Sequence, residues 1–461
     1  MSSVLVVSRA AVVCLAAGVF LLCVLLGGAP ALAQPPPPVP GQGPPPPPPP
    51  SPPPALQDIQ GRVKVFIDCG GFWNCDTEYF RTHLTFVDHV RDREVADVHI
   101  LITGQGTGSG GEEATLAFIG RGPFDRANDI LKYTSPPNST SDAIRQGLVQ
   151  KIKLGLMRYV SHSESAGSMQ IGVTAGAPQA PQAPKHDPWN LWVMRLRFNG
   201  SMSGESSTSY GSYSGGGSAN RVTDAWKISL SGSGSYRESS YDLGEEERYV
   251  SISRDNSFSA LVVKSLTAHW SAGMRASLGS STYTNKDLYV TAAPAIEYNL
   301  FPYSESTRRS MTFQYSIGVS SYQYKEVTLY EKTSETLPNH SFLVDVEATQ
   351  PWGQVSGSAE FSQYLSQPDK YRLQSFGMID IRLSKGLSFN VGGGGSFIRD
   401  QIYLPKGEAT TEEILVRQRQ LKTSYSYSMF FGISYTFGSI FNNIVNPRFG
   451  SSGGSMMVMY Y

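Results

Sequence analysis

Between Trp189 and Phe437 the chain alternates bulky apolar residues with small or polar ones in segment after segment. Met311, Phe313, Tyr315, Ile317 and Val319 are interleaved with Thr312, Gln314, Ser316, Gly318 and Ser320. Side-chain direction reverses at every residue of an extended strand, so such a segment has one apolar and one polar face. Repeated over segments of about ten residues or more, with aromatic residues near their ends, the pattern specifies a transmembrane β-barrel.

The alternation predicts twelve strands, near 190–204, 208–221, 224–240, 248–264, 269–284, 287–302, 309–325, 339–350, 354–366, 370–384, 386–402 and 423–437. Bacterial single-chain barrels have an even number. The connections Leu266 to His269, Pro351 to Gly353 and Lys385-Gly386 are tight, whereas Lys325 to Asn339 and Tyr403 to Lys422 are long. Short turns belong on the periplasmic side and long loops outside. Glu412 to Leu421, in the second long loop, is read as a helical turn or as strand extending above the membrane.

Register assigns two faces. Trp192, Met194, Leu196 and Phe198, with Ile379, Ile381, Leu383 and with Tyr427, Met429, Phe431, Ile433, Tyr435, are expected to face lipid. A charge at mid-depth on that face costs about 2–4 kcal/mol. Arg195, Arg197, Lys227, Arg275, Glu297, Asp345, Glu347, Glu360, Arg372, Asp380 and Arg382 fall on the opposite register and are expected to line the lumen. Charges of both signs fit either a small polar pore or a barrel plugged by salt-bridged side chains. Arg254 stands apart, because it interrupts the apolar face of its strand.

The start of the chain predicts export. Arg9 precedes an apolar run from Ala10 to Leu26, followed by Ala31-Leu32-Ala33, a small-x-small cleavage pattern, so residues 1–33 read as a signal peptide. Residues 34–60 are a proline-rich linker, with Pro35 to Pro54 almost pure proline. Proline fixes φ and removes the amide donor, which favours an extended rod of about 60 Å at ~3.1 Å per residue. Cys14 and Cys23 leave with the signal; Cys69 and Cys75 remain, and an exported chain makes them a disulfide. His83 and His89 are six apart, not on one helical face, and no metal or cofactor is expected.

Residues 61–176 read as a small α+β domain, and 177–188 as an Ala/Pro linker before the barrel. Strands are expected at Arg62 to Asp68, Asp97 to Thr103, Ala114 to Ile119 and Met169 to Val173. Asp76 is expected to cap a helix carrying Tyr79, Phe80, Leu84, Phe86, Val87 and Val90, and Ser141 a longer one with Ile144, Leu148, Ile152, Leu156 and Val160 on one stripe. The loop Gly104 to Gly111 is glycine-rich, but it joins two strands rather than leading into a helix, and Glu112 and Glu113 beside it repel phosphate. The βαββα order is similar to the periplasmic amino-terminal domains of the Tol translocation protein and curli-secretion lipoproteins, and to polypeptide-transport-associated domains. That resemblance implies protein contact.

Within the barrel, Ala225-Trp226-Lys227-Ile228-Ser229-Leu230, Leu266-Thr267-Ala268-His269-Trp270 and Phe431-Gly432-Ile433-Ser434-Tyr435-Thr436-Phe437 resemble a family of outer-membrane barrels without an assigned function, typified by a salt-induced outer membrane protein. Gly432, Tyr435 and Phe437 also resemble the terminal-strand signal read by the barrel-assembly machinery. Here 24 residues follow Phe437, a carboxy-terminal tail of 438–461 that ends in an aromatic pair.

Zero formal net charge gives no basis for nucleic-acid binding. An enzyme is not expected: the candidates His269 and His340 sit in a turn and beside Ser341, and no Gly-x-Ser-x-Gly elbow is present. The chain therefore reads as an all-β transmembrane barrel of a Gram-negative outer membrane with an α+β periplasmic domain. The expected partners are outer-membrane lipid and lipopolysaccharide, the barrel-assembly machinery, and a periplasmic protein or the cell wall. Two functions remain open, a narrow porin-like channel for small polar solutes and a plugged scaffold that anchors the periplasmic domain.

Overall fold

A computed structural model describes residues 58–70, 75–137, 139–168, 187–242, 248–384, 386–407 and 420–438. The signal peptide, the proline-rich linker, the Met169 to Val173 strand, the Ala/Pro linker, most of the Glu412 to Leu421 segment and the tail beyond Gly438 lie outside these residues.

The amino-terminal domain consists of β1 (Lys64–Cys69), α1 (Thr77–His83), β2 (Asp88–His89), β3 (Val98–Gly106), β4 (Glu112–Gly120), β5 (Asp129–Thr134) and α2 (Ser141–Val160). Its sheet has the order β2-β1-β3-β4-β5, with β1 parallel to β2 and β3 and the rest antiparallel. Val65, Ile100, Ile102, Leu116 and Phe118 meet Phe80, Leu84, Ile144, Leu148, Ile152 and Leu156 in one core.

Three details differ from the sequence reading. The Asp76 cap forms, accepting from the Tyr79 amide at 2.9 Å, but α1 ends at His83 instead of running to Val90. The amides of Asp88 and Val90 donate to the carbonyls of Val63 and Val65, so the sheet edge takes the backbone groups that a longer helix would need. Leu84, Val87 and Val90 are buried all the same. α2 is capped by Thr140 rather than Ser141, its Oγ1 accepting from the Ala143 amide at 3.2 Å. Strand β5 escaped the reading because its apolar residues divide between faces, with Ile130 exposed and Leu131 and Tyr133 packed on the core. The domain order is thus βαββββα rather than βαββα.

Cys69 and Cys75 form a disulfide at the end of β1. Closing so small a ring removes about 2–2.5 kcal/mol of unfolded-chain entropy on the loop-length relation. Urea unfolding of the domain with both cysteines changed to serine should show a loss of that size, with an unchanged slope.

Twelve antiparallel strands follow: β6 (Trp192–Gly204), β7 (Thr208–Val222), β8 (Trp226–Asp242), β9 (Arg248–Ser265), β10 (Trp270–Ser281), β11 (Lys286–Asn299), β12 (Arg309–Tyr324), β13 (Ser334–Gln350), β14 (Gly353–Tyr364), β15 (Gln367–Ser384), β16 (Leu387–Ile398) and β17 (Tyr425–Tyr435). Each pairs with its neighbours in chain order, an up-and-down meander from β6 to β17. Among the described residues no ladder joins β6 to β17, the pairing that closes such a sheet in hydrogen-bond terms. β13 starts five residues before the expected Asn339, because Ser334 to Pro338 continue the ladder against Val319 to Gln323. The loop before it is correspondingly shorter. β16 stops at Ile398 instead of reaching 402, for a reason that lies at the long-loop end of the sheet.

The apolar face is bare. Leu196, Phe198, Tyr427, Met429, Phe431 and Ile433 are each at least 70% exposed, which an aqueous surface does not tolerate in one contiguous band. Trp226 and Tyr236 share this face of β8 ten residues apart. At ~3.4 Å per residue and a ~45° tilt they stand about 24 Å apart in depth, the height of the apolar band of such barrels. No helix among the described residues is long and apolar enough to cross a membrane.

Candidate functional site

The strand ladders carry the eleven charged residues of the polar register onto one face. Arg195 and Arg197 oppose Ser218 and Gly216; Lys227 opposes Val263, and Arg275 opposes Leu261. Glu297 opposes Gln314, Asp345 opposes Thr312 and Ser358, and Glu347 opposes Ser310 and Ser356. Glu360 faces Gln374, Arg372 faces Ser362, Asp380 faces Gln354 and Asn390, and Arg382 faces Ser388. This is the inner face, and it is not uniformly polar: Phe376, Met378 and Phe430 share its register. Among the described residues, these eleven side chains make two ion pairs, Arg382 with Asp68 and Arg372 with Asp400. Neither partner belongs to a barrel strand. Each belongs to an element that covers one mouth.

The first mouth, at the short turns, is met by the amino-terminal domain. Asp68 at the end of β1 has a side chain 5% exposed, and both its oxygens accept from the Arg382 guanidinium, Oδ1 from Nη2 at 2.7 Å and Oδ2 from Nη1. The same Oδ2 accepts from His99 Nε2 at 3.2 Å. Arg93 donates to the carbonyls of Pro351 and Arg382, and Ser306 Oγ donates to Gln105 Oε1 at 3.4 Å. The β3–β4 hairpin, the glycine-rich loop of the sequence, lies against the rim. A Cβ on Gly108 would stand 2.5 Å from the Cβ of Val222, so that close approach requires glycine, and one on Gly110 would stand 2.7 Å from Arg195 Nη2 at the mobile end of its side chain. Gly110 also has φ +87°.

These contacts show that the sheet is curled. The domain touches β6 through Arg195 and β15 through Arg382. Nine strand spacings of a flat sheet would separate those strands by about 43 Å. From Leu101, the register partner of Asp68, to the end of β3 at Gly106 is only about 17 Å at ~3.4 Å per residue. A cleft of about 560 Å³ remains beside the docked domain, lined by Arg81, Arg91 and Glu94 on one side and Leu387, Tyr435 and Phe437 on the other.

Burial pushes the Asp68 carboxyl up, but hydrogen bonds from His99 and Arg382 and the Arg382 charge outweigh it and hold the group below the usual carboxylate range. Burial pushes His99 down, and its Nδ1 has no partner, so the ring is neutral, donates from Nε2, and makes a hydrogen bond rather than an ion pair. His89 is pushed down by burial as well. A group lowered in the folded state binds fewer protons there than in the unfolded chain, so its stabilisation is present at high pH and lost on acidification. Domain stability should therefore fall as pH drops below about 6.5 as the histidines begin to protonate in the unfolded state, and further as Asp68 titrates below about 3.9. Thermal melts from pH 7.5 to 2.5 check this, and His99→Gln should flatten the upper part of the slope.

The second mouth, at the long loops, is filled from within. After Ile398 the chain turns inward, and Gln401, Ile402, Tyr403 and Leu404 are buried. Ile402, Tyr403 and Leu404 cluster with Tyr322, Tyr324 and Leu337, packed further by Tyr289 and Tyr364. The Leu329 amide donates to the Leu404 carbonyl at 2.8 Å, and Asn285 Nδ2 to the Tyr403 carbonyl at 3.0 Å. Arg372 holds Asp400 with Nε at 3.0 and 3.1 Å from its two oxygens and Nη2 at 2.9 Å from one. Residues 400–405 thus form a strap, which is why β16 ends early.

Sequence reasoning placed Arg372 and Arg382 on the polar face but not their partners. Asp68 read as the end of a core strand, and Asp400 as the end of β16. The apolar triplet Ile402-Tyr403-Leu404 in an outer loop was the available signal for the strap. Gly432 and Tyr435 lie in β17 and Phe437 follows it. His340 faces away from the lumen, against Tyr315 and Gln363, while Ser341 meets Ser316 on the inner face. His269 Nδ1 contacts the Asn299 carbonyl at 2.8 Å.

A twelve-stranded barrel sheet with an α+β domain set at its short-turn mouth defines the class of this protein. No family model matches the chain, and no curated protein sequence matches it. Among solved structures, the NanC porin is similar at a TM-score of 0.26 and 7% identity, over 52% of this chain and 99% of that one. The translocator domain of the autotransporter NalP from Neisseria meningitidis is similar at 0.18 and 10%, over 53% and 81%. Scores this low carry no argument, and the class rests on the meander and its two faces.

Proposed function

We propose that the protein is an outer-membrane conduit for small polar solutes that its own periplasmic domain holds closed. The observation that carries this reading is the docking of Asp68 on Arg382. A lumen-facing arginine, which a pore needs as a wall charge, is paired with the domain rather than with another wall residue. The other inner-face charges, Arg195, Arg197, Lys227, Arg275, Asp345, Glu347 and Asp380 among them, make no ion pair among the described residues, in keeping with a hydrated lumen rather than a salt-bridged plug. In this reading lipid and lipopolysaccharide surround the apolar face, and the barrel-assembly machinery inserts the chain through the β17 signal. No catalytic role is proposed.

The second reading, a scaffold that anchors the domain for a periplasmic protein or cell-wall partner, is favoured by the strap over the outer mouth. Planar-bilayer conductance with and without residues 34–188 separates the two. Current that rises when the domain is removed supports the conduit; silence in both forms, with a partner retained by residues 61–176, supports the scaffold.

A further inference from the structure

Asp400 does not merely end a strand. Its carboxylate occupies a pocket of cationic and aromatic side chains inside the outer mouth, in a geometry suited to a carboxylate from any source. Arg372 grips it with Nε and Nη2, the paired donors that match a carboxylate's two oxygens. Beside it Lys286 lies over the rings of Tyr403, Tyr322 and Tyr289, its nitrogen 4.6, 5.0 and 5.7 Å from their centroids. Tyr322 and Tyr364 share a hydroxyl contact at 3.1 Å on the same wall. Glu335, the nearby acid, is engaged by the Tyr324 hydroxyl at 2.7 Å. Among the described residues, Lys286 makes no ion pair of its own. Its charge is compensated by π faces, a weaker partner than an anion, and by the proximity of Asp400.

The strap supplies two of these groups, Asp400 and Tyr403. When residues 400–405 leave, Arg372 and Lys286 remain as two cations with Tyr289, Tyr322 and Tyr364 around them. We propose that this is an anion-binding constriction, that Asp400 fills it as a tethered substitute in the closed barrel, and that a small carboxylate solute takes the same place in the open one. The assignment rests on the conduit reading and gives it a substrate class: small organic anions, held by a bidentate arginine and a lysine, with tyrosines to pack the body of the solute.

The test uses full-length protein with gluconate as the probe. In detergent, isothermal titration should show gluconate binding to Asp400→Asn about tenfold more tightly than to the unaltered chain, the equivalent of 1.4 kcal/mol. Adding Arg372→Gln or Lys286→Met to that variant should abolish the gain. Heat-dependent gel migration confirms that each variant is folded, and the lysine substitution serves if the arginine one is not. In bilayers, Asp400→Asn combined with Arg382→Ala, which releases the domain, should pass chloride in preference to potassium, and gluconate should block that current. Gluconate binding that ignores Arg372 and Lys286, or a current that favours potassium, overturns the proposal. Binding that follows the prediction without current in any variant, including one with the domain released, would retain the site and overturn the conduit.

Discussion

Replacing Arg382 with alanine is expected to free the amino-terminal domain from the barrel. The substitution leaves Asp68, only 5% exposed, without the guanidinium that both its oxygens engage. Stranding one member of a buried pair costs about 3–5 kcal/mol. The Arg382 side chain is about a third exposed, so solvent screens part of the interaction, and we expect about 2–3 kcal/mol. That range corresponds to roughly 30- to 150-fold in the docking equilibrium. Cysteines placed at Gln105 and Ser306, whose side chains meet across the rim at 3.4 Å, report docking through a short bifunctional thiol crosslinker. The crosslinking rate should collapse in Arg382→Ala. Asp68→Asn should cost less, because an unpaired Arg382 can turn to solvent whereas an unpaired Asp68 cannot. An undiminished rate in Arg382→Ala would mean that the other rim contacts hold the domain.

The second large effect concerns the domain itself. Phe118 is fully buried in β4, and its ring lies against Gly155 of α2. Phe118→Ala should lower the domain's stability by about 3–5 kcal/mol, the usual cost of emptying an aromatic core site. Gly155→Ala acts from the opposite side of the same contact. Its added Cβ would overlap the Phe118 ring, so a substitution that normally favours helix should instead destabilise by about 1–3 kcal/mol. Calorimetry of the full chain should show the domain transition moving down in both variants while the barrel transition stays. A stabilising Gly155→Ala would mean that the ring can retreat.

The barrel was legible because a strand's period of two is written directly in residue polarity. A register error of one would exchange Arg372 and Leu373, and no reading of β15 that buries one face permits that. The domain was less legible. Segment 84–90 satisfied a helical spacing, yet hydrogen bonding at the sheet edge claimed its backbone. β5 failed the alternation test because exposed Ile130 adjoins inward-facing Leu131, so apolar residues fall on both of its faces. The candidate sites were half visible. Arg382 and Arg372 declare themselves as charges among polar positions, but Asp68 and Asp400 are distant in sequence, 314 and 28 residues away. Nothing local to an aspartate says which arginine it will meet.

The meander also has a cost in chain entropy. Each ladder from β6 to β17 joins strands adjacent in sequence, through loops that are mostly a few residues long. A β6–β17 ladder would instead tie off more than two hundred residues, a loop whose closure costs about 5 kcal/mol on the logarithmic length relation. Local hairpins can zip while the chain is still open, and a ladder between the two ends would then be the slow, late event. Changes that weaken β6 or β17 should consequently retard maturation far more than equal changes in the middle of the sheet.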